Sequence, residues 1–182
     1  MTENNINLTC CKETTVCFTG HRPEGFPFSP DDKIRINIIK SMLLCKIKDA
    51  YDAGYRTFIT GMARGVDMWA AMCVVHLKSV CPDIRLIGVS PFKSEYERRK
   101  GLDKWEYGVV CEAADEVIYL HDSYIKSCYH ERNRFMVDRS SMVIGVVYNR
   151  KSGTGGTLYY AAKKGVKLDV IDVCELAKNK II

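Results

Sequence analysis

Three short stretches of the sequence pair glycines with arginines or hydroxyls in the way phosphate binding requires. They are Thr19-Gly20-His21-Arg22, Thr60-Gly61-Met62-Ala63-Arg64-Gly65, and Ser152-Gly153-Thr154-Gly155-Gly156-Thr157. A glycine allows positive φ and close backbone approach, so amide groups can point at an anion while a following helix adds its positive end. Arg22 and Arg64 would neutralise the charge. No Lys-Ser/Thr pair follows any of these glycines, and no G-x-G-x-x-G follows the first strand, which argues against a P-loop ATPase or an ordinary NAD dehydrogenase. Each glycine also has a plain structural reading as a tight strand-to-helix turn; three such loops together favour a site.

Other residues have a functional and a structural reading side by side. Asp67 is an acceptor for ligand hydroxyls or a helix-start carboxylate; Trp69 lines a base or sugar pocket or belongs to the core. Arg132 and Arg134 are phosphate forks or solvent-facing helix charges, with Asn133 between them to orient sugar hydroxyls or base edges. His21 is a phosphate donor, an acid or base, or a loop histidine. The run Arg98, Arg99, Lys100 reads as a solvated helix face. His121, Cys128 and His130 lack a fourth metal ligand in sequence, so no metal is expected.

Positioning these residues requires strands that end at the glycine loops. Short β-branched runs alternate with helical patterns, which predicts a Rossmann-like three-layer α/β/α fold with a mostly parallel sheet of about six strands. Strands are expected at 15–19, 56–60, 85–90, 116–120, 142–148 and 166–171. The first helix should be capped by Ser29, with Pro30, Asp31 and Asp32 in its first turn, and should stop at Gly54 after Ala53. Helical patterns follow over 65–80, over a broken stretch 94–114, over 130–139 and over 157–164. In such a sheet ligands lie outside the carboxyl ends of the strands.

The chain has 182 residues, 27 basic and 22 acidic, with 47% hydrophobic residues and a formal charge of +5. One core is expected, with a polar tail over 1–13 and a single domain over 14–182. Mild positive charge suits anionic ligands without choosing among them. Nine cysteines without paired C-x-x-C spacing, and no signal-peptide pattern, read as free thiols in a reducing cytoplasm. Cys17, Cys73 and Cys111 are expected in buried elements. No membrane association is expected, and a homo-oligomer is compatible with the sequence.

The motifs TGHRP, TGMARGVDMWAA, SPF, RNRFMVDRSSMVI and SGTGGT occur in this order. Together, over about residues 14–172, they resemble the YpsA-like branch of the SLOG superfamily, which includes the DNA-processing protein DprA and the cytokinin-activating LOG enzymes. The resemblance implies a Rossmann-like fold with a pocket for nucleotides or related ligands, NAD and ADP-ribose derivatives among them; SPF adds Ser90 to the candidate site. TGMARGVD is similar to a DprA motif that begins with serine, here Thr60, and continues to a histidine, here Ala71. Arg132 before Met136 matches LOG enzymes, whose catalytic glutamate position is Tyr160 here. A phenol, with a reference pKa of about 10, is a poor general base at neutral pH. Many family members have Ser-Asp before the fifth strand; this chain has Ser140 and Ser141.

The leading expectation is therefore a binding protein for a nucleotide or nucleotide derivative, acting as a sensor or sequestering module, with no catalytic residue assigned and no cofactor required. Its partner would be a small phosphate-bearing ligand held by Gly20, His21, Arg22, Gly61, Arg64, Gly65, Asp67, Trp69, Ser90, Arg132, Asn133 and the run Gly153, Thr154, Gly155, Gly156, Thr157. A nucleotide N-glycosidase of the LOG kind is the enzyme alternative, and DprA-like binding of single-stranded DNA is the less favoured nucleic-acid alternative.

Overall fold

The computed structural model describes residues 10–174 and 176, so most of the expected tail, 1–9, lies outside the described residues. Six strands form one sheet: β1 (Thr15–Gly20), β2 (Thr57–Thr60), β3 (Arg85–Ser90), β4 (Glu116–Tyr119), β5 (Met142–Val147) and β6 (Lys167–Asp172). Every pairing is parallel, in the order β4-β3-β2-β1-β5-β6. The chain steps outward from β1 to β4 and then returns to the other side of β1, so its direction reverses between β1 and β5. Being parallel neighbours, β1, β2 and β5 bring their following glycine loops to one edge.

Parallel strands need crossover connections, and helices α1 (Lys33–Asp52), α2 (Val66–Lys78), α3 (Gly101–Ala113), α4 (Cys128–Asp138) and α5 (Gly153–Lys163) supply them. Strand alternation divides the apolar side chains between two faces. Val16, Phe18, Phe58, Ile144 and Val146 pack with Ile39, Leu43 and Ile47 of α1 and with α2 and α3 residues such as Val74 and Val110. Cys17, Ile59, Ile87, Val89 and Val143 face the other way, onto Met136 and Val137 of α4 and Leu158 and Ala161 of α5. Because both faces are covered, the central strands read as continuous apolar runs. Cys17 is buried as expected, whereas Cys73 and Cys111 are only half-buried.

Two helix starts differ from the expectation. The cap of α1 is Asp32, whose carboxylate accepts the Arg35 amide at 3.0 Å and its guanidinium at 2.5 Å. Ser29 instead bonds the Asp31 amide at 3.2 Å in the turn before the helix. Helix α5 begins at Gly153 rather than Thr157, because the Ser152 hydroxyl accepts the Gly155 amide at 3.2 Å and the Ser152 carbonyl accepts the Gly156 amide at 2.9 Å. That cap carries three glycines, weak helix formers, into the first turn.

Asp32→Ala should cost about 1 kcal/mol of stability, and Ser29→Ala no more than about 0.5 kcal/mol. Urea unfolding of the two variants checks this, and the reverse ranking would move the cap back to Ser29.

Candidate functional site

At the carboxyl edge of the sheet the deepest feature is a buried ion pair. Arg132 in α4 and Asp67 in the first turn of α2 lie with Nη1 and Oδ2 3.4 Å apart, and each is about 5% exposed. The same Nη1 donates to the Gly61 carbonyl at the end of β2. A side chain at Gly61 would run into both partners, so that glycine is required by the pair itself. The Thr60 hydroxyl donates to the Asp67 carbonyl at 2.9 Å and accepts the Met62 amide at 3.1 Å. Met62 holds a left-handed φ of 54°, and its carbonyl accepts Arg99 Nη2 at 2.6 Å. Burial pushes the Asp67 carboxyl up to about 6, although the nearby Arg132 and a backbone bond from Ala63 pull it down. Desolvation also lowers the Arg132 guanidinium.

The loop after β1 rests directly on the loop after β2. Gly65 has φ +91°, and a β-carbon there would meet the His21 carbonyl at 2.6 Å and Arg22 Cα at 2.9 Å, so only glycine fits. Gly20 packs against the Val66 side chain. His21 in turn reaches the β5 side: its Nε2 accepts the Asn149 amide at 3.1 Å, which assigns the remaining proton to Nδ1. Burial lowers its pKa and keeps the ring neutral. Trp69 is buried and stacks on Phe26, ring centroids 6.0 Å apart, while Phe26 meets the His21 ring edge-on at 5.8 Å.

Helix α4 separates two open depressions above this base. On one side lies a cleft of about 370 Å³ walled by Arg22, Arg64, Arg98 and Arg99, with Glu95, Asp103 and Tyr129. On the other lies a groove of about 380 Å³ between α4 and α5. Its α4 wall is His130, Asn133 and Arg134; its α5 wall is Gly156, Thr157, Tyr159, Tyr160 and Lys163. Asn133 Nδ2 donates to the Thr157 hydroxyl at 2.9 Å, pinning the two walls together. No carboxylate belongs to this groove's lining. The Tyr160 hydroxyl donates to the Asp138 carboxylate, 2.9 and 3.0 Å from its two oxygens, and Arg134 and Lys164 lie 5.4 Å from the Tyr160 ring.

The YspA SLOG family matches residues 16–175. The chain belongs to that family. It is 32% identical over 139 residues to an uncharacterized SPbeta prophage-derived protein, YoqJ, of Bacillus subtilis strain 168, covering 69% of this chain and 81% of that protein. It is 26% identical over 155 residues to a UPF0398 protein of Bacillus thuringiensis strain Al Hakam, covering 82% of each. Among solved structures it is similar to DNA processing protein A from Helicobacter pylori, described for its single-stranded DNA binding mode, with TM-score 0.58, 20% identity and 87% of this chain covered. The chain spans 65% of that protein's length, and likeness at this level shows the shared fold alone.

In this SLOG chain the candidate residues and the glycine run do not converge on one surface. Arg22 and Arg64 wall the arginine cleft; Asn133, Gly156 and Thr157 wall the α4–α5 groove. His21, Asp67, Trp69, Ser90, Arg132, Thr154 and Gly155 are buried; Trp69 borders a third groove, shared with Lys40, Leu44 and Met72, and the Ser90 hydroxyl donates to the Phe92 carbonyl at 3.1 Å. A solvated helix face is not what Arg98, Arg99 and Lys100 form: Arg99 and Lys100 are extended, so successive side chains alternate, and Arg99 turns inward while its neighbours stay exposed. Sequence reading passed over Glu95, Asp103, Tyr129, Tyr159 and Lys163, whose only signal was proximity in space. Among the described residues no group of three metal-ligating side chains forms.

The α5 glycines separate by what surrounds them. A side chain at Gly155 would strike the Arg150 backbone, whereas a β-carbon at Gly153 or Gly156 would meet nothing within 4 Å beyond its own helix. Gly155→Ala should destabilise the fold by about 1–3 kcal/mol through overpacking, while Gly156→Ala should stabilise it by about 0.5–1 kcal/mol through reduced chain entropy. Denaturant unfolding gives both signs.

For Asp67 the folded value near 6 exceeds the ordinary value of 3.8, so the native state keeps a proton that the unfolded chain releases. Its contribution to stability therefore falls as pH rises through that window. His21 acts in the opposite direction, since a lowered histidine value means stability is lost as pH drops below the unfolded value of 6.5. The two oppose each other, so the check is site-resolved: a carboxyl carbon NMR titration of Asp67 should have its midpoint near pH 6. A midpoint at or below 3.8 would show that the Arg132 charge outweighs burial.

Proposed function

We propose that the chain binds a nucleotide or nucleotide derivative, of which NAD and ADP-ribose types are the leading candidates, with a phosphate at the amino end of α5 and the base or sugar along the α4–α5 groove. The observation that carries this reading is Gly156. It is exposed, lies inside a helix where glycine costs stability, and has open space where a side chain would begin. Packing gives no reason for it; close approach of a ligand does. The neighbouring Gly153 and Thr154 amides have no intrahelical acceptor at a helix start, and the helix dipole favours an anion there. His130, Arg134 and Lys163 add positive or protonatable groups to the groove, and the exposed Tyr159 offers a ring face to a base.

Binding without turnover is the reading the groove favours. Cleavage of a glycosidic bond needs a carboxylate against the ligand, and the one beside Tyr160, Asp138, already accepts the Tyr160 hydroxyl. Asp67 is buried against Arg132. Single-stranded DNA, bound by DNA processing protein A from Helicobacter pylori, is the second reading, favoured here by Lys163 lying 4.7 Å from the exposed Tyr159 ring.

A thermal-shift and calorimetry series with nucleoside monophosphates, NAD and ADP-ribose tests the proposal. One ligand class should stabilise the protein saturably, by about 2.7 kcal/mol at a hundredfold excess over Kd, and Gly156→Leu should abolish the effect without unfolding the chain. Chromatography should find no released base. Multiple turnovers to free base would favour the glycosidase, and binding that grows with oligonucleotide length and falls steeply with salt would favour nucleic acid. Undiminished nucleotide binding by Gly156→Leu would move the site off α5.

A further inference from the structure

The cleft on the other side of α4 holds more positive charge than the fold uses. Four guanidiniums line it against two carboxylates. Arg99 engages both: Nη1 lies 2.8 Å from Asp103 and Nη2 3.3 Å from Glu95, while Nη2 also holds the Met62 carbonyl. Arg64 meets Glu24, an exposed residue outside the lining. Arg22 and Arg98 form no ion pair among the described residues. Arg22 acts on the Glu24 and Asp67 carboxylates only at longer range, so two exposed guanidiniums without a direct ion pair stand on one cleft and offer their donors to an anion.

Arg98 is also held in place. Its guanidinium carbon lies 5.4 Å from the Phe92 ring centroid and 5.3 Å from that of Tyr124, and those two rings meet edge-on at 5.8 Å. An arginine already ordered by ring contacts gives up less rotamer freedom when it binds, which is preorganisation of its planar fork. Behind it Arg99 is fixed by three partners, so the cleft wall does not need to rearrange.

We propose that this cleft is a second anion site, separate from the α5 groove, that takes a phosphate or pyrophosphate group between Arg22 and Arg98. Two unpaired arginines match a multiply charged oxyanion, whereas a single carboxylate would leave one of them uncompensated. The volume of about 370 Å³ suits a small organic phosphate. The proposal does not depend on what the α5 groove binds.

Inorganic pyrophosphate is the probe, used on the full chain carrying Gly156→Leu so that the α5 end cannot contribute. Calorimetry should show one saturable site in that background. Adding Arg22→Ala or Arg98→Ala should weaken it about tenfold or more. Both side chains are exposed, and circular dichroism melts should confirm that the variants fold. In arginine side-chain NMR the Nε–Hε signals of Arg22 and Arg98 should shift with pyrophosphate while that of Arg56, which is paired with Asp83, stays put. The absence of saturable binding in the Gly156→Leu background, or affinity unchanged by both alanine variants, overturns the second site. Either result leaves the nucleotide reading intact, because that reading stands or falls on nucleotide binding by the unmodified chain.

Discussion

The Arg132 guanidinium is the constraint on which the edge of this sheet depends. Buried charge is tolerated only where it is paired and hydrogen-bonded, and Arg132 finds its partners on two other elements: Asp67 of α2 and the Gly61 carbonyl after β2. Those contacts tie the first half of α4 to α2 and to the loop after β2. Because α4 divides the arginine cleft from the α5 groove, Tyr129 falls on one side and His130 and Asn133 on the other. An arginine that looks like a ligand contact thus shapes both surfaces from below, touching neither.

The glycines share the work along similar lines. Gly20, Gly61, Gly65 and Gly155 let chain segments approach one another: the β1 loop lies on the β2 loop, the Arg132 pair on β2, and α5 on Arg150. They let the edge pack closely. Gly153 and Gly156 are surrounded by space, and they are the positions where a ligand, rather than the protein, could use the absent side chain. A glycine-rich string therefore combines two physical roles, and only the surrounding atoms tell them apart.

A similar division applies to the charges. Arg99 spends its hydrogen bonds on Met62, Glu95 and Asp103, which locks a left-handed residue after β2 to the segment before α3. Arg98, one residue earlier, stays at the surface against aromatic rings. Arg98 ends a 3-10 helical turn and the backbone becomes extended at Arg99, so adjacent and chemically identical residues become a structural strut and an exposed cation.

Sequence by itself determined the fold class, the strands to within a residue or two, and the edge on which the glycine loops gather, because short apolar β-branched runs and strand-end glycines are local signals. What only the tertiary structure decided was exposure and partnership. Asp32 rather than Ser29 caps α1, Ser152 draws the glycines into α5, and Asp67 and Arg132 are buried on each other. The division of the candidate residues between two depressions belongs to the same class. The two caps are contacts over three residues, where several nearby polar side chains compete for the same amides; the other outcomes depend on residues far apart in the chain, such as 67 with 132 and 21 with 149, and pairings over such separations are set by how helices pack on the sheet rather than by local sequence.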